Sequence, residues 1–271
     1  MFQSTLNLLK NEFLFQGYRF LKKTTYKYDG EIKNLVKKIK EDGFVVFPDF
    51  YDASECENLR NEIDSLIITR EKEGNLWSDS LGSDKRCYAA EDDSKLIAKT
   101  FNNNFLNNFA CNYSKMKMEC AFTLASRVRF IDGNLGSGDG WHRDSNHLQF
   151  KAIIYLSNVS VKDGPFQILR GSHKFLNKIR HTILTRSNGI NTRFNNKGIE
   201  KLIKKNHTIY RNFTYKQGTL ILVDTSSIHA GMPLDVEGQR YSLTNYYYAP
   251  YQDTKTRKKS VLTAAKSQNR I

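Results

Sequence analysis

The chain reads as a mainly β protein with flanking helices, built on a core of the jelly-roll type. Three observations predict this. Six short runs rich in β-branched and aromatic residues crowd the stretch from position 121 on: FTLASRVRFI, FKAIIYLSNV, GPFQILRG, HTIYRNFTY, GTLILVDTS and RYSLTNYYYAP. Turn signals separate them (DGNLGSGDG, KDG, KQG and EGQ), the spacing expected of a β sandwich or barrel. Clear helical periodicity lies instead in the stretch 1–70, which leaves helices to pack on the outside of the sheets.

Taken in order, the first segment is MFQSTLNLLKNEFLFQGYRFLKK. Lys10 and Glu12 interrupt its apolar residues, so it reads as an amphipathic helix docked on the body and not as a secretory signal. Peripheral contact with a membrane is the other use of such a helix. No run of 18 apolar residues exists anywhere, so no membrane span is expected. EIKNLVKKIKEDG sets Ile32, Leu35, Val36 and Ile39 on one helical face, with Gly43 as the stop. FVVFPDF is a short buried strand ended by Pro48. Asp52 and Glu55 make a capping-box pattern, after which Leu59, Ile63, Leu66 and Ile67 follow at helical spacing. Residues 70–120 carry no readable period. With no repeat and no low-complexity linker, one domain over 1–271 is expected. It divides into a helical and strand segment (1–70), the β core (120–250) with a basic insertion at 174–205, and a basic tail (252–271).

The chain has 271 residues, with 42 Lys and Arg against 28 acids, a formal charge of +14. That charge is uneven: Lys174 to Lys216 holds eleven basic residues and one acid, Glu200. Such a cluster attracts phosphates or acidic head groups, and a solvated basic face explains it equally well. Few aromatic residues interleave with the basic ones, which weighs against nucleic acid as partner. The four cysteines show neither CxxC pairing nor zinc spacing, as expected of reduced thiols in a cytoplasmic protein.

The chemistry centres on GWHRDSNH, residues 140–147. Alternate residues of a strand share a face, so His142 and Asp144 can aim at one point and offer a nitrogen and an oxygen to a divalent metal. His229, after the apolar strand GTLILVDTSSI, supplies a third donor and completes the two-His-one-carboxylate set suited to non-haem Fe(II). Eleven residues further on, Arg240 opens the last β run, and its planar fork suits a carboxylate. Ser242 faces the same way along that strand and adds a hydroxyl. The residues His147, Gln149 and Lys151 flank the pair. Arg127 and Arg129 share a face of the preceding strand. These five are candidates for substrate contact. His173, within GSHK, reads as a structural residue.

On these motifs the chain resembles the phytanoyl-CoA dioxygenase family of Fe(II)/2-oxoglutarate oxygenases. EDGFVVFPDFYDASECENLRNEIDSL, GWHRD, KDGPFQILRGSHK and HAGMPLDVEGQR match the family's segments in order, over roughly residues 31–68 and 120–250. The resemblance implies a double-stranded β-helix of the jelly-roll or cupin-like kind. It implies His142, Asp144 and His229 as iron ligands, Arg240 as anchor of the distal 2-oxoglutarate carboxylate, and Ser242 beside it. It also implies Fe(II), 2-oxoglutarate as co-substrate and O₂. Related halogenases replace the carboxylate ligand with a small residue, so Asp144 implies hydroxylation.

The expected substrate is a small metabolite or a glycan or lipid precursor, with an anionic one favoured if the basic insertion forms part of the mouth. The alternatives are an oxygenase directed at nucleic acid and a jelly-roll protein that binds without catalysis. Substrate identity and oligomeric state are not legible in the sequence.

Overall fold

The computed structural model describes residues 2–21, 30–185, 192–249 and 252–268. Residues 186–191 of the basic insertion and 269–271 of the basic tail lie outside the described residues. The chain begins with α1 (Phe2–Leu21), α2 (Gly30–Asp42), β1 (Phe44–Phe47) and α3 (Ala53–Lys72). The capping box at the start of α3 is present: the Asp52 carboxylate accepts from the Glu55 N–H, and Glu55 accepts in return from the Asp52 N–H. The stretch without a readable period folds as β2 (Trp77–Ser78), β3 (Asp84–Cys87), α4 (Lys95–Phe101) and α5 (Asn104–Ser114). Then come β4 (Glu119–Arg129), β5 (Phe150–Tyr155) and β6 (Phe166–Leu169). The basic insertion supplies α6 (Phe175–Thr185) and α7 (Asn196–Lys205). The chain closes with β7 (Tyr210–Asn212), β8 (Leu220–Asp224), β9 (His229–Gly231), β10 (Gln239–Tyr248) and α8 (Thr254–Gln268).

All strand pairs are antiparallel. A seven-stranded sheet runs β1-β8-β5-β10-β4-β3-β2, and a three-stranded sheet runs β7-β6-β9. The two sheets make the double-stranded β-helix. HTIYRNFTY is a correction in detail. Only Tyr210–Asn212 form a strand there, after a single 3₁₀ turn at His207–Ile209, and they pair with Leu169, Ile168 and Gln167 of β6.

Period-two alternation assigns the faces of the large sheet. Leu220 and Leu222 of β8, Ala152 and Ile154 of β5, and Tyr241, Leu243 and Tyr247 of β10 pack outward into the main core. Val36 and Ile39 of α2, Ile63 and Ile67 of α3, and Leu106 and Phe109 of α5 meet them there. Ile221, Val223 and Tyr155 point the other way, into a smaller cluster with Phe166, Ile168 and Phe213. Burying the outer face under helices leaves the inner face of β10, β5 and β4 free to carry polar side chains.

Candidate active site

The three proposed donors arrive from two routes. His142 and His229 exchange both backbone hydrogen bonds, at 2.9 and 2.8 Å. That closely spaced antiparallel pair places their side chains on one face, and their rings lie 4.3 Å apart. The Asp144 N–H donates to the Thr225 carbonyl at 3.0 Å. The HRD segment is therefore no regular strand, contrary to the simplest reading of its spacing. It is an extended bridge docked on β9, and β5 begins only at Phe150. Alternation still holds along it: Arg143 turns away from its neighbours, buried between the Ser172 and Ser226 carbonyls and the Phe194 ring.

The basic insertion braces this bridge from outside. Arg143 N–H donates to Thr192, Phe194 N–H donates to Trp141, and Arg193 pins the carbonyls of Gly138 and Asp139. In front, Gly138 takes φ +86°, and a Cβ there would stand 2.6 Å from Cε1 of His142. Only glycine lets the loop lie against that ring.

The ligand atoms of His142, Asp144 and His229 all lie within 4.8 Å of one another. Each imidazole has a fixed tautomer. Nδ1 of His142 meets the Gly140 carbonyl at 2.8 Å, and Nδ1 of His229 meets the Ser227 carbonyl at 2.9 Å. A carbonyl can only accept, so Nδ1 carries the proton and Nε2 presents its lone pair. This is the outer support that metal-binding histidines require. Burial pushes both imidazoles below their ordinary pKa, His229 to about 3, so they stay neutral. Despite the loss of water around it, Asp144 is held well below the usual carboxylate range by the Lys151 ammonium. Lys151 donates to Asp144 at 2.7 Å and lies over the Tyr246 ring at 4.0 Å. Two neutral nitrogens and one carboxylate fit a divalent metal.

The donors open into a cavity of about 140 Å³. Its far wall is the inner face of β10: Arg240, Ser242, Thr244 and Tyr246 all line it. Register sets Ser242 between Ser126 of β4 and Tyr155 of β5, and Tyr246 opposite Lys151. Ser242 and Ser126 share a hydrogen bond of 2.9 Å. Arg240 is 6% exposed, and its Nη1 is buried without a partner among the described residues. A buried donor left open in this way fits an incoming carboxylate.

A second cavity of about 190 Å³ adjoins the first through Asp144, Lys151 and Tyr246. Ser145, His147, Gln149, Tyr248, Gln252 and Arg257 complete its lining. Of the five candidates for substrate contact, His147, Gln149 and Lys151 thus face these cavities, although Gln149 is also tied to the Tyr247 carbonyl. Arg127 and Arg129 line neither. Pairing of Ser126 with Ser242 puts the even-numbered side chains of β4 inside, so Arg127 points outward to Asp64 and Arg129 is exposed. His173 reaches the Lys40 carbonyl and touches neither cavity. Sequence reasoning missed Tyr246 and Thr244, which continue the Arg240–Ser242 alternation, and Arg86, which reaches the cavity from β3. Arg86 is locked by Asp84 and Ser137 and stacks on Trp77.

Solved structures of similar fold include EctD from S. alaskensis with bound Fe, at 14% identity over 84% of this chain and 81% of that one, TM-score 0.62. HygX from Streptomyces hygroscopicus with nickel and 2-oxoglutarate bound has 15% identity over 83% and 89%, TM-score 0.56. The epimerase SnoN in complex with Fe3+, alpha ketoglutarate and nogalamycin RO has 16% identity over 81% and 84%, TM-score 0.60. No curated protein matches the chain at a significant level. At these identities the likeness speaks for the fold. The family model of phytanoyl-CoA dioxygenase, however, matches residues 39–238, most of the chain and all of the candidate site up to the turn before Arg240, and the protein belongs to that family.

Proposed function

We propose that the protein is a non-haem Fe(II)/2-oxoglutarate-dependent dioxygenase that hydroxylates a small molecule. One observation carries the reading: in a single cavity, three convergent donors face a buried arginine whose Nη1 has no partner among the described residues. Nε2 of His142, a carboxylate oxygen of Asp144 and Nε2 of His229 would hold the iron. Arg240 would take the distal carboxylate of 2-oxoglutarate, with Ser242 and Ser126 as hydroxyl partners beside it. The bound iron would supply O₂ activation coupled to decarboxylation of 2-oxoglutarate to succinate. The protein's own part is to fix the donors, to bury the Arg240 charge against its partner, and to keep the cavity small.

The substrate would enter by the adjoining cavity. Tyr246 and Tyr248 offer aromatic faces there, and Lys151, Gln252 and Arg257 offer donors, which suits a molecule with an anionic or oxygen-rich end. Hydroxylation rests on Asp144, because its carboxylate occupies the place that a halide would need.

The test is anaerobic. Iron(II)-loaded protein titrated with 2-oxoglutarate should develop the weak visible charge-transfer band of a chelated 2-oxo acid. Arg240→Ala should bind iron as before and need roughly a hundredfold more 2-oxoglutarate, since truncating one partner of a buried charge pair costs several kcal/mol. Iron binding without any band would reject 2-oxoglutarate as the co-substrate. A product that gains no oxygen atom would reject hydroxylation.

A further inference from the structure

We propose that Lys151 is a positioning residue: its ammonium holds one oxygen of Asp144 back from the metal, so that this ligand takes one coordination position and not two. The inference rests on the reading of the site as an iron centre that takes 2-oxoglutarate.

The two oxygens of Asp144 stand in different surroundings. Oδ2 accepts from the Lys151 ammonium at 2.7 Å. Oδ1 accepts from no donor among the described residues. Both nevertheless face the donor set: Oδ1 is 3.7 Å from Nε2 of His142, and Oδ2 is 3.7 Å from Nε2 of His229. Left to itself, a carboxylate in this position could present both oxygens to one ion. Lys151 makes them unequal, because a charge-assisted hydrogen bond occupies Oδ2 and leaves Oδ1 open.

The lysine is fixed where it does this. It is 7% exposed and stands opposite Tyr246 in the register of β5 with β10. Its ammonium lies 4.0 Å from the centre of the Tyr246 ring, so the aromatic face and the Asp144 carboxylate draw it to one place. Among the described residues Asp144 is its one carboxylate partner. The count of coordination positions gives the arrangement its use. Two imidazoles and one carboxylate oxygen leave three places on an octahedral ion. A 2-oxo acid that chelates takes two of them and O₂ needs the third. A second carboxylate oxygen would close that third place.

The experiment uses nitric oxide as a stand-in for O₂, on the full chain loaded anaerobically with iron(II) and 2-oxoglutarate. Its iron adduct has a characteristic electron paramagnetic resonance signal, so the third place is read without turnover. Lys151→Met removes the donor. It should still bind iron(II) and form the 2-oxoglutarate charge-transfer band. Its affinity for nitric oxide should fall at least about tenfold, since the ligand must then displace an oxygen that a hydrogen bond to a charged group no longer restrains. Lys151→Arg keeps N–H donors beside Oδ2 and should restore the signal. Thermal melting checks folding, and Lys151→Ala, which admits water to the carboxylate, replaces the methionine variant if that one unfolds. A variant without the donor that forms the band and takes nitric oxide as well as wild type overturns the proposal. So does a folded variant that binds no iron, which would make the lysine part of the frame that builds the site. A wild type without iron or without the band rejects the iron and 2-oxoglutarate reading itself, and this inference with it.

Discussion

The two sheets contribute to one cavity in different ways. The large sheet presents side chains by register alone: Arg240, Ser242, Thr244 and Tyr246 follow one another on one face of β10, and each meets a defined partner on β4 or β5. The small sheet works through backbone. His142 and His229 are paired by exchanged main-chain bonds, and each ring is aimed by the carbonyl two residues before it. Apart from Arg240, the large-sheet wall should therefore tolerate the loss of one side chain, whereas the small-sheet wall should fail at its donors and at the loop that holds them.

The largest expected effect breaks the small-sheet side. His142→Ala should lower iron(II) affinity by more than the hundredfold that loss of an outer partner can cost, as read by calorimetric titration. Next is acidification of the protein before metal is added. His229 has its pKa lowered by burial to about 3, and buried His181 of α6 has its own lowered to about 4. The unfolded chain therefore takes up protons first. Stability from these groups is fully present above about pH 6.5 and is lost as pH falls toward 4, by up to roughly 3 kcal/mol for His181. Denaturant melts across that range should show the loss, and His181→Gln should reduce it. Gly138→Ala comes third. Its Cβ would press on the His142 ring, and iron affinity should fall about tenfold to a hundredfold, while the strained backbone should lower the melting temperature as well. The smallest effect belongs to the large sheet. Ser126→Ala removes one hydroxyl from the Ser126–Ser242 pair and should cost about 0.5–1.5 kcal/mol in 2-oxoglutarate binding, with iron binding unchanged.

The same contrast explains what the sequence disclosed. Alternation is written in the order of residues, so Ser242 could be placed beside Arg240, and Thr244 and Tyr246 were there to be read by continuing the count. The inward side of β4 was not legible. Parity cannot be assigned until register pairs Ser126 with Ser242, and Arg127 and Arg129 fall on the wrong side for that reason. The HxD segment was found through its residue types, yet its backbone is a bridge and not a strand start, a distinction that depends on contacts with Thr192 and Thr225 far along the chain. Arg86 lay in a stretch without a period. Its place is set by Ser137, 51 residues away, which no local pattern encodes.

The ion pair between Lys151 and Asp144 has a consequence for how charge is balanced. A carboxylate with a cation of its own chain beside it does not wait for an outside charge before it can be enclosed. A cation held by the two histidines would share the Asp144 carboxylate with Lys151, which places the lysine in the set of groups that balance charge at the site.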